Sequence, residues 1–471
     1  MVKRLVEASS KDGNRFAGYA PVLEAVAKVI AGETNPSQVG PRTLKILEGR
    51  VLDRLTTEIL QRESRKLVAQ LKEAVNDFPD SGAYDEAEQL SRLASRILGV
   101  PFVGNSATLP PHCLAPYERA VAAFIEQHPF LDGAGRAPSG AVFAACIVSH
   151  ALRSATPDLA VAAEGYARDG HHAPNPFLFD FYRSALKEDA IVPGGHVGAL
   201  YESVQAKARP GDSTRLSIEG DPDAEFVEVE IAVAGETGDP VRFELRTRRN
   251  ETVRFGRRVG GVAIDAPGLD VELGDGGQLE LIAPVTIEVR TLMLRCSELL
   301  AKPAPHAPSH GGAAKAEAES EEAAVVLESQ DFLSENNAPL LTVRPGIELR
   351  VTWPGSKAYP WNPFADPGAV GEDPTTADAL RSLRRLVIAF RSHSKGRLAR
   401  YRGKIEHARM TKGGIGDALR LKLVNDNVLS LEGSMYFLDP KALGAKVGLS
   451  FLDAKLKRYG RLTRAYVQGL A

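Results

Sequence analysis

The chain has 471 residues, 44% of them apolar and 25% charged, with Lys+Arg 58 against Asp+Glu 60 and a formal charge of -2. At roughly 100 to 200 residues per domain this implies about three domains of ordinary globular composition, which excludes collagenous, coiled-coil and wholly disordered classes. The three cysteines, Cys113, Cys146 and Cys296, are widely spaced and odd in number, so neither a disulfide framework nor a paired-Cys zinc site is expected and a cytoplasmic location fits.

The N-terminus reaches Glu7 and Lys11 without an apolar stretch, so no signal peptide is read there. From Phe16 to about Gln205 apolar residues recur at helical spacing, as in Val51, Leu55, Ile59 and Leu60, and Pro/Gly clusters break the pattern into antiparallel helices. Residues 1–208 are therefore expected to form a mostly helical domain with no solenoid-like repeat. Its longest apolar run, Ala141 to Val148, falls far short of the roughly 20 residues of a spanning helix, and no membrane partner is expected.

At Arg209-Pro210-Gly211 the period changes from 3.6 to 2. Val227, Val229, Ile231 and Val233 alternate with Glu228 and Glu230, and similar short runs follow after Gly-rich breaks, which predicts an antiparallel β-sandwich over 209–353 with one wet face per sheet. On that reading Glu228, Glu230, Asp270 and Glu272 belong to a solvated face. Residues 301–324, dominated by Ala, Pro, Glu and Gly, are expected to be a disordered insertion. A hinge over 354–373 holds Tyr359-Pro360-Trp361, read as a strap across a domain surface rather than a docking peptide.

The last segment, 374–471, carries 20 Lys+Arg against 7 Asp+Glu, whereas residues 1–373 carry 38 against 53. Such asymmetry predicts attraction of polyanions by the C-terminal end. Leu380, Leu383, Val387 and Phe390 form a helical stripe with Thr375 or Thr376 as N-cap. A second helix follows Thr411-Lys412-Gly413-Gly414, and a hairpin surrounds Glu432-Gly433-Ser434. The order suggests a winged-helix-like domain, a fold used for nucleic-acid and for protein contacts alike. The candidate nucleic-acid-binding residues are its densest cations: Arg391, Lys395, Arg397, Arg400, Arg402, Lys404, Arg409 and Lys412. The overall expectation is a multidomain α+β protein with an N-terminal helical domain, a central antiparallel β-sandwich and a C-terminal winged-helix-like domain.

Catalytic signatures are missing. No phosphate-cradling G-x-x-x-x-G-K-[ST], nucleophile elbow, H-E-x-x-H or dinucleotide fingerprint occurs, so no catalytic residue, metal or cofactor is assigned. His171-His172, His112-Cys113 and His150 are read as packing or loop residues.

Four blocks carry a resemblance: Arg15-Phe16-Ala17-Gly18-Tyr19-Ala20-Pro21-Val22-Leu23, Pro174-Asn175-Pro176-Phe177-Leu178-Phe179-Asp180-Phe181-Tyr182, Trp353-Pro354-Gly355 with Tyr359-Pro360-Trp361, and His407-Ala408-Arg409-Met410-Thr411-Lys412-Gly413. Together they resemble the region that follows the P-loop ATPase core in large bacterial NTPases of anti-phage defence islands, without that P-loop. The resemblance implies a non-catalytic subunit that docks a larger ATPase or other defence-complex partner and contacts nucleic acid, DNA ahead of RNA. A metal-dependent nuclease effector is the alternative it leaves open.

Overall fold

The computed structural model describes residues 20–24, 48–79, 84–104, 109–169, 173–187, 190–208, 212–221, 224–234, 241–304, 324–334, 339–352, 373–392, 397–407, 410, 414–455 and 457–470. The greater part of the 301–324 insertion and of the 354–373 hinge, with the Tyr359-Pro360-Trp361 strap and His171-His172, lies outside the described residues. The chain divides into two compact units, one of residues 1–190 with 196–207 and the other of residues 191–195 with 208–471.

The first unit is helical. Helix α1 (Glu48–Ala74) buries Leu55, Ile59, Leu60, Leu67 and Leu71, one face at 3.6-residue spacing. Helix α2 (Glu86–Leu98) starts at Asp85, whose carboxylate accepts from Glu88 N, and stops at Gly99, whose φ of 70° suits the left-handed C-cap. Then come α3 (Pro111–Glu126) and α4 (Ala141–Leu152), followed by α5 (Pro157–Arg168), α6 (Leu178–Ser184) and α7 (Gly194–Lys207). Helix α4 is apolar all round and every residue from Val142 to Ser149 is buried, which is where the longest apolar run of the sequence goes.

The second unit holds β1 (Ser213–Glu219), β2 (Phe226–Ala234), β3 (Val241–Arg248), β4 (Thr252–Phe255), β5 (Arg258–Leu273), β6 (Gln278–Leu294), β7 (Glu298–Lys302), β8 (Ala324–Ser334), β9 (Leu340–Val343) and β10 (Glu348–Thr352). All ten belong to one mixed sheet. Only the β1–β2 and β2–β3 pairs are antiparallel, while β5 pairs β1, β4 and β6 in parallel and β6 continues in parallel to β7 and β8. The expected antiparallel β-sandwich is thus overturned.

The register explains why. Strand β5 has 16 residues and β6 has 17, yet they pair in parallel through a connection of only Gly274 to Gly277. A straight strand of that length would extend about 53 Å, and four residues reach back about 14 Å at most. The strands therefore turn corners, at the register breaks between Gly260 and Val262 and between Ala266 and Asp270, the first helped by Gly261 at φ 65°. Thr252 pairs with Asp270, Arg258 with Glu280 and Gln278 with Glu298, so each turn comes back beside itself after 18 to 22 residues. This is a β-solenoid with three walls, not two facing sheets.

Alternation reads identically in both arrangements, because a solenoid wall also has one buried face. Its interior is a stack of like residues, with Val253, Val271 and Leu292 on one level and Phe255, Leu273 and Leu294 on the next, all buried.

The C-terminal module comprises α8 (Pro374–Ala389), β11 (Arg391–Ser392), β12 (Leu398–Tyr401), α9 (Arg402–Ile405), α10 (Ile415–Asn425), β13 (Leu429–Glu432), β14 (Met435–Leu438), α11 (Pro440–Ala442), a π-turn over Leu443–Val447, α12 (Phe451–Lys455) and α13 (Arg461–Gln468). The winged-helix-like order does not hold: two strands and α9, which has only 4 residues, stand between the first expected helix, α8, and the second, α10. The four strands form an antiparallel sheet in the order β11-β12-β14-β13. The expected hairpin is β13–β14, and Asp373, not Thr375 or Thr376, caps α8 by accepting from both their backbone amides. The module has its own core, centred on Leu383, Leu386, Phe390, Leu419, Leu423 and Leu443.

Candidate nucleic-acid interface

The eight cations singled out from the sequence are not one surface. Lys395, Arg409 and Lys412 lie outside the described residues, and Arg391 is described only as backbone, in β11 opposite Ala399. Arg397 is half-exposed, grips Glu432 with two bonds of 2.6 and 3.1 Å, and lies 3.7 Å above the Phe437 ring. Arg402 donates to Glu406 at 2.8 Å, one helical turn on. Arg400 and Lys404 instead face the solenoid. Arg400 is only 3% exposed and donates to Glu219 at 3.1 Å and to Glu230 at 3.3 Å, while Lys404 bonds Glu228.

These contacts belong to a larger arrangement. On the solenoid wall formed by β2, β1, β5, β6 and β8, the register sets Glu228 beside Glu219, Glu219 beside Asp265, Asp265 beside Glu288 and Glu288 beside Glu328. Five carboxylates thus line up across five neighbouring strands about 4.8 Å apart. A row of like charges at that spacing is destabilising unless countered. Every member meets a cation of the C-terminal module: Lys404 at Glu228, Arg400 at Glu219, Arg385 at Asp265 (3.8 Å), Arg384 at Glu288 (2.5 Å), and Lys457 at Glu328 (2.6 Å). Arg384 also reaches Glu328 at 3.8 Å, and Arg458 pairs with Glu348 one strand further on. Across the same seam Arg242 of β3 stacks on Tyr401 of β12, 4.1 Å from the ring centre.

Burial sets the electrostatics. Removal from water alone would push the Glu288 carboxyl up, but Arg384, Lys457 and Arg385 outweigh it and hold the group down at about 2. Burial pulls Arg384 the other way, and Glu328 and Glu288 more than offset it, so its guanidinium stays charged. The hydrogen bond from Lys404 likewise keeps Glu228 below the ordinary glutamate range. Buried ions cost several kcal/mol each to desolvate, so a pair is stable only while both partners remain.

Along the middle of this wall the outward residues are small, Ala263, Thr286 and Pro284, and a narrow cleft of about 40 Å³ remains between them and Ile388, Ala389 and Met410 of the module. Arg215, Arg385 and Lys455 supply its positive groups and Glu219 and Asp265 its negative ones. Among the described residues no group of three or more His, Cys, Asp or Glu is placed to hold a metal ion.

The titratable groups of the helical unit have structural roles. Burial pulls His128 down to about 3 and His150 to about 4; the first stacks edge-on against Phe130 and the second meets Ser91 at 2.9 Å. Burial pushes the Cys146 thiol up to about 12, and in the second unit it pushes Cys296 up to about 11, which withholds the thiolate a nucleophile needs.

The carboxylate row was missed because alternation assigned Glu228 and Glu230 to solvent. A signal was present: Leu216-Ser217-Ile218-Glu219, Val262-Ala263-Ile264-Asp265, Val285-Thr286-Ile287-Glu288 and Val325-Val326-Leu327-Glu328 repeat one pattern, and these four segments are the ones that lie side by side. No family model matches the chain, and neither a curated protein nor a solved structure is similar to it.

Proposed function

We propose that the chain is a non-catalytic docking subunit of a bacterial anti-phage defence complex, joining a larger P-loop ATPase or effector partner and contacting nucleic acid, DNA ahead of RNA, through its basic C-terminal module. One observation carries the nucleic-acid half. The module carries 20 Lys+Arg against 7 Asp+Glu, and a segment with that balance attracts polyanions. Among the described residues Arg384, Arg385, Arg400, Lys404, Lys457 and Arg458 pair with carboxylates of the solenoid, while the half-exposed Arg397 and the exposed Arg402 pair within the module, with Glu432 and Glu406. The ATPase half rests on the sequence resemblance.

Full-length protein titrated with duplex DNA and with RNA of equal length at about 50 mM salt tests the first half, binding being expected to weaken steeply as salt rises. Absence of binding to either removes it. Affinity capture of the tagged chain from its native cells after nuclease treatment tests the second, with a P-loop ATPase expected among the retained proteins and its absence counting against the docking role.

A further inference from the structure

The module that would bind nucleic acid already binds a polyanion, its own carboxylate row. The seam between them is built differently from either part. The module's core closes within the module, and among the described residues the buried apolar cluster that spans the seam is Leu452 against Ala324 and Val326. Beside it runs a row of ion pairs, Lys404, Arg400, Arg385, Arg384 and Lys457 set against Glu228, Glu219, Asp265, Glu288 and Glu328. A joint of that kind weakens with salt and yields to competing charge, whereas a shared apolar core does not.

We infer that the carboxylate row acts as an internal stand-in for a nucleic-acid backbone, so that row and duplex are alternative occupants of the same cations and duplex binding uncouples the module from the solenoid wall. The row's spacing supports this. Its carboxylates repeat about every 4.8 Å, whereas duplex DNA offers one negative charge per roughly 1.7 Å of axis and so presents a denser line of charge to the same side chains. The latched module shows only the cations left over from the row; the released one adds Arg384, Arg385, Arg400, Lys404 and Lys457. This inference rests on the nucleic-acid reading above and assigns that site its regulation.

Two measurements on the full-length chain test it. In the wild type, zero-length carbodiimide coupling should join Lys404 to Glu228 and Lys457 to Glu328, with Lys302 to Glu280, 2.7 Å apart within the solenoid, as internal reference. Saturating duplex DNA should abolish the first two cross-links and leave the third. In the second, the variant Glu219→Gln/Asp265→Asn/Glu288→Gln should bind duplex about tenfold or more tightly than wild type, with a salt slope steeper by up to about 3, since each of the three freed cations that meets a phosphate adds about 0.9. Duplex binding by the wild type with both seam cross-links intact overturns the inference alone and leaves the nucleic-acid reading standing, as does equal affinity of variant and wild type. Failure of both proteins to bind duplex overturns that reading and the inference with it.

Discussion

The helical unit and the solenoid–module seam bury comparable groups by opposite means. Around α4 the helical unit surrounds apolar side chains with apolar side chains, and its buried His128 and half-buried His150 are held neutral. Along the seam the buried Arg384 is held charged by Glu328 and Glu288, and the half-buried Glu288 is held charged chiefly by Arg384. The contrast teaches that burial is not one kind of stability. The first kind depends on area removed from water and hardly responds to salt; the second depends on matched partners and fails when either is discharged.

The largest effect should come from Arg384→Met, which leaves Glu288 and Glu328 facing each other without their guanidinium. A loss of about 3–5 kcal/mol is expected in the unfolding of the second unit, followed by calorimetry. Leu55→Ala in the helical unit should cost about 2–5 kcal/mol by calorimetry, with the same value at low and high salt. A salt-dependent Leu55→Ala effect, or a salt-independent Arg384→Met effect, would erase the distinction.

Acid titration separates the two next. Glu288 sits lower in the folded than in the unfolded chain, so its contribution is complete above about 4.5 and is lost as pH falls toward about 2. His128 is also lowered by folding, but for a base this means that the unfolded chain takes up the proton first. The helical unit therefore begins to lose stability already as pH drops below about 6.5 and continues to lose it toward about 3. Stability measured against pH should show His128→Gln flattening the upper range and Glu288→Gln the lower. The smallest effect is expected for Arg397→Ala, whose exposed pair with Glu432 should shift the denaturant midpoint barely at all, and not at all in high salt.

Much of the helical unit was legible because its signals are local. The stripe through Leu55, Ile59 and Leu60 and the apolar run of α4 each declare themselves within a few residues. The strands of the second unit were legible as strands, and their pairing was not, because inward and outward alternation is set by one strand's neighbours in space and carries no direction. The recurring pattern ending in Glu219, Asp265, Glu288 and Glu328 did carry it, at spacings too uneven to stand out as a repeat. The site was legible as charge and not as geometry: the sequence offers Arg400 and Lys404 to a nucleic acid, and the carboxylates they meet in the structure lie in the same chain some 170 to 180 positions earlier.

A solenoid has no intrinsic length, since every turn presents the next with the same edge. The clamp along its wall supplies one. Cations placed to meet five strands span four gaps, about 19 Å, and they keep step only with a wall that has those strands in that order. The module works as a gauge: a chain that gained or lost one turn would put every guanidinium beyond the inserted strand one notch out of register with its carboxylate, so repeat number is counted in charge.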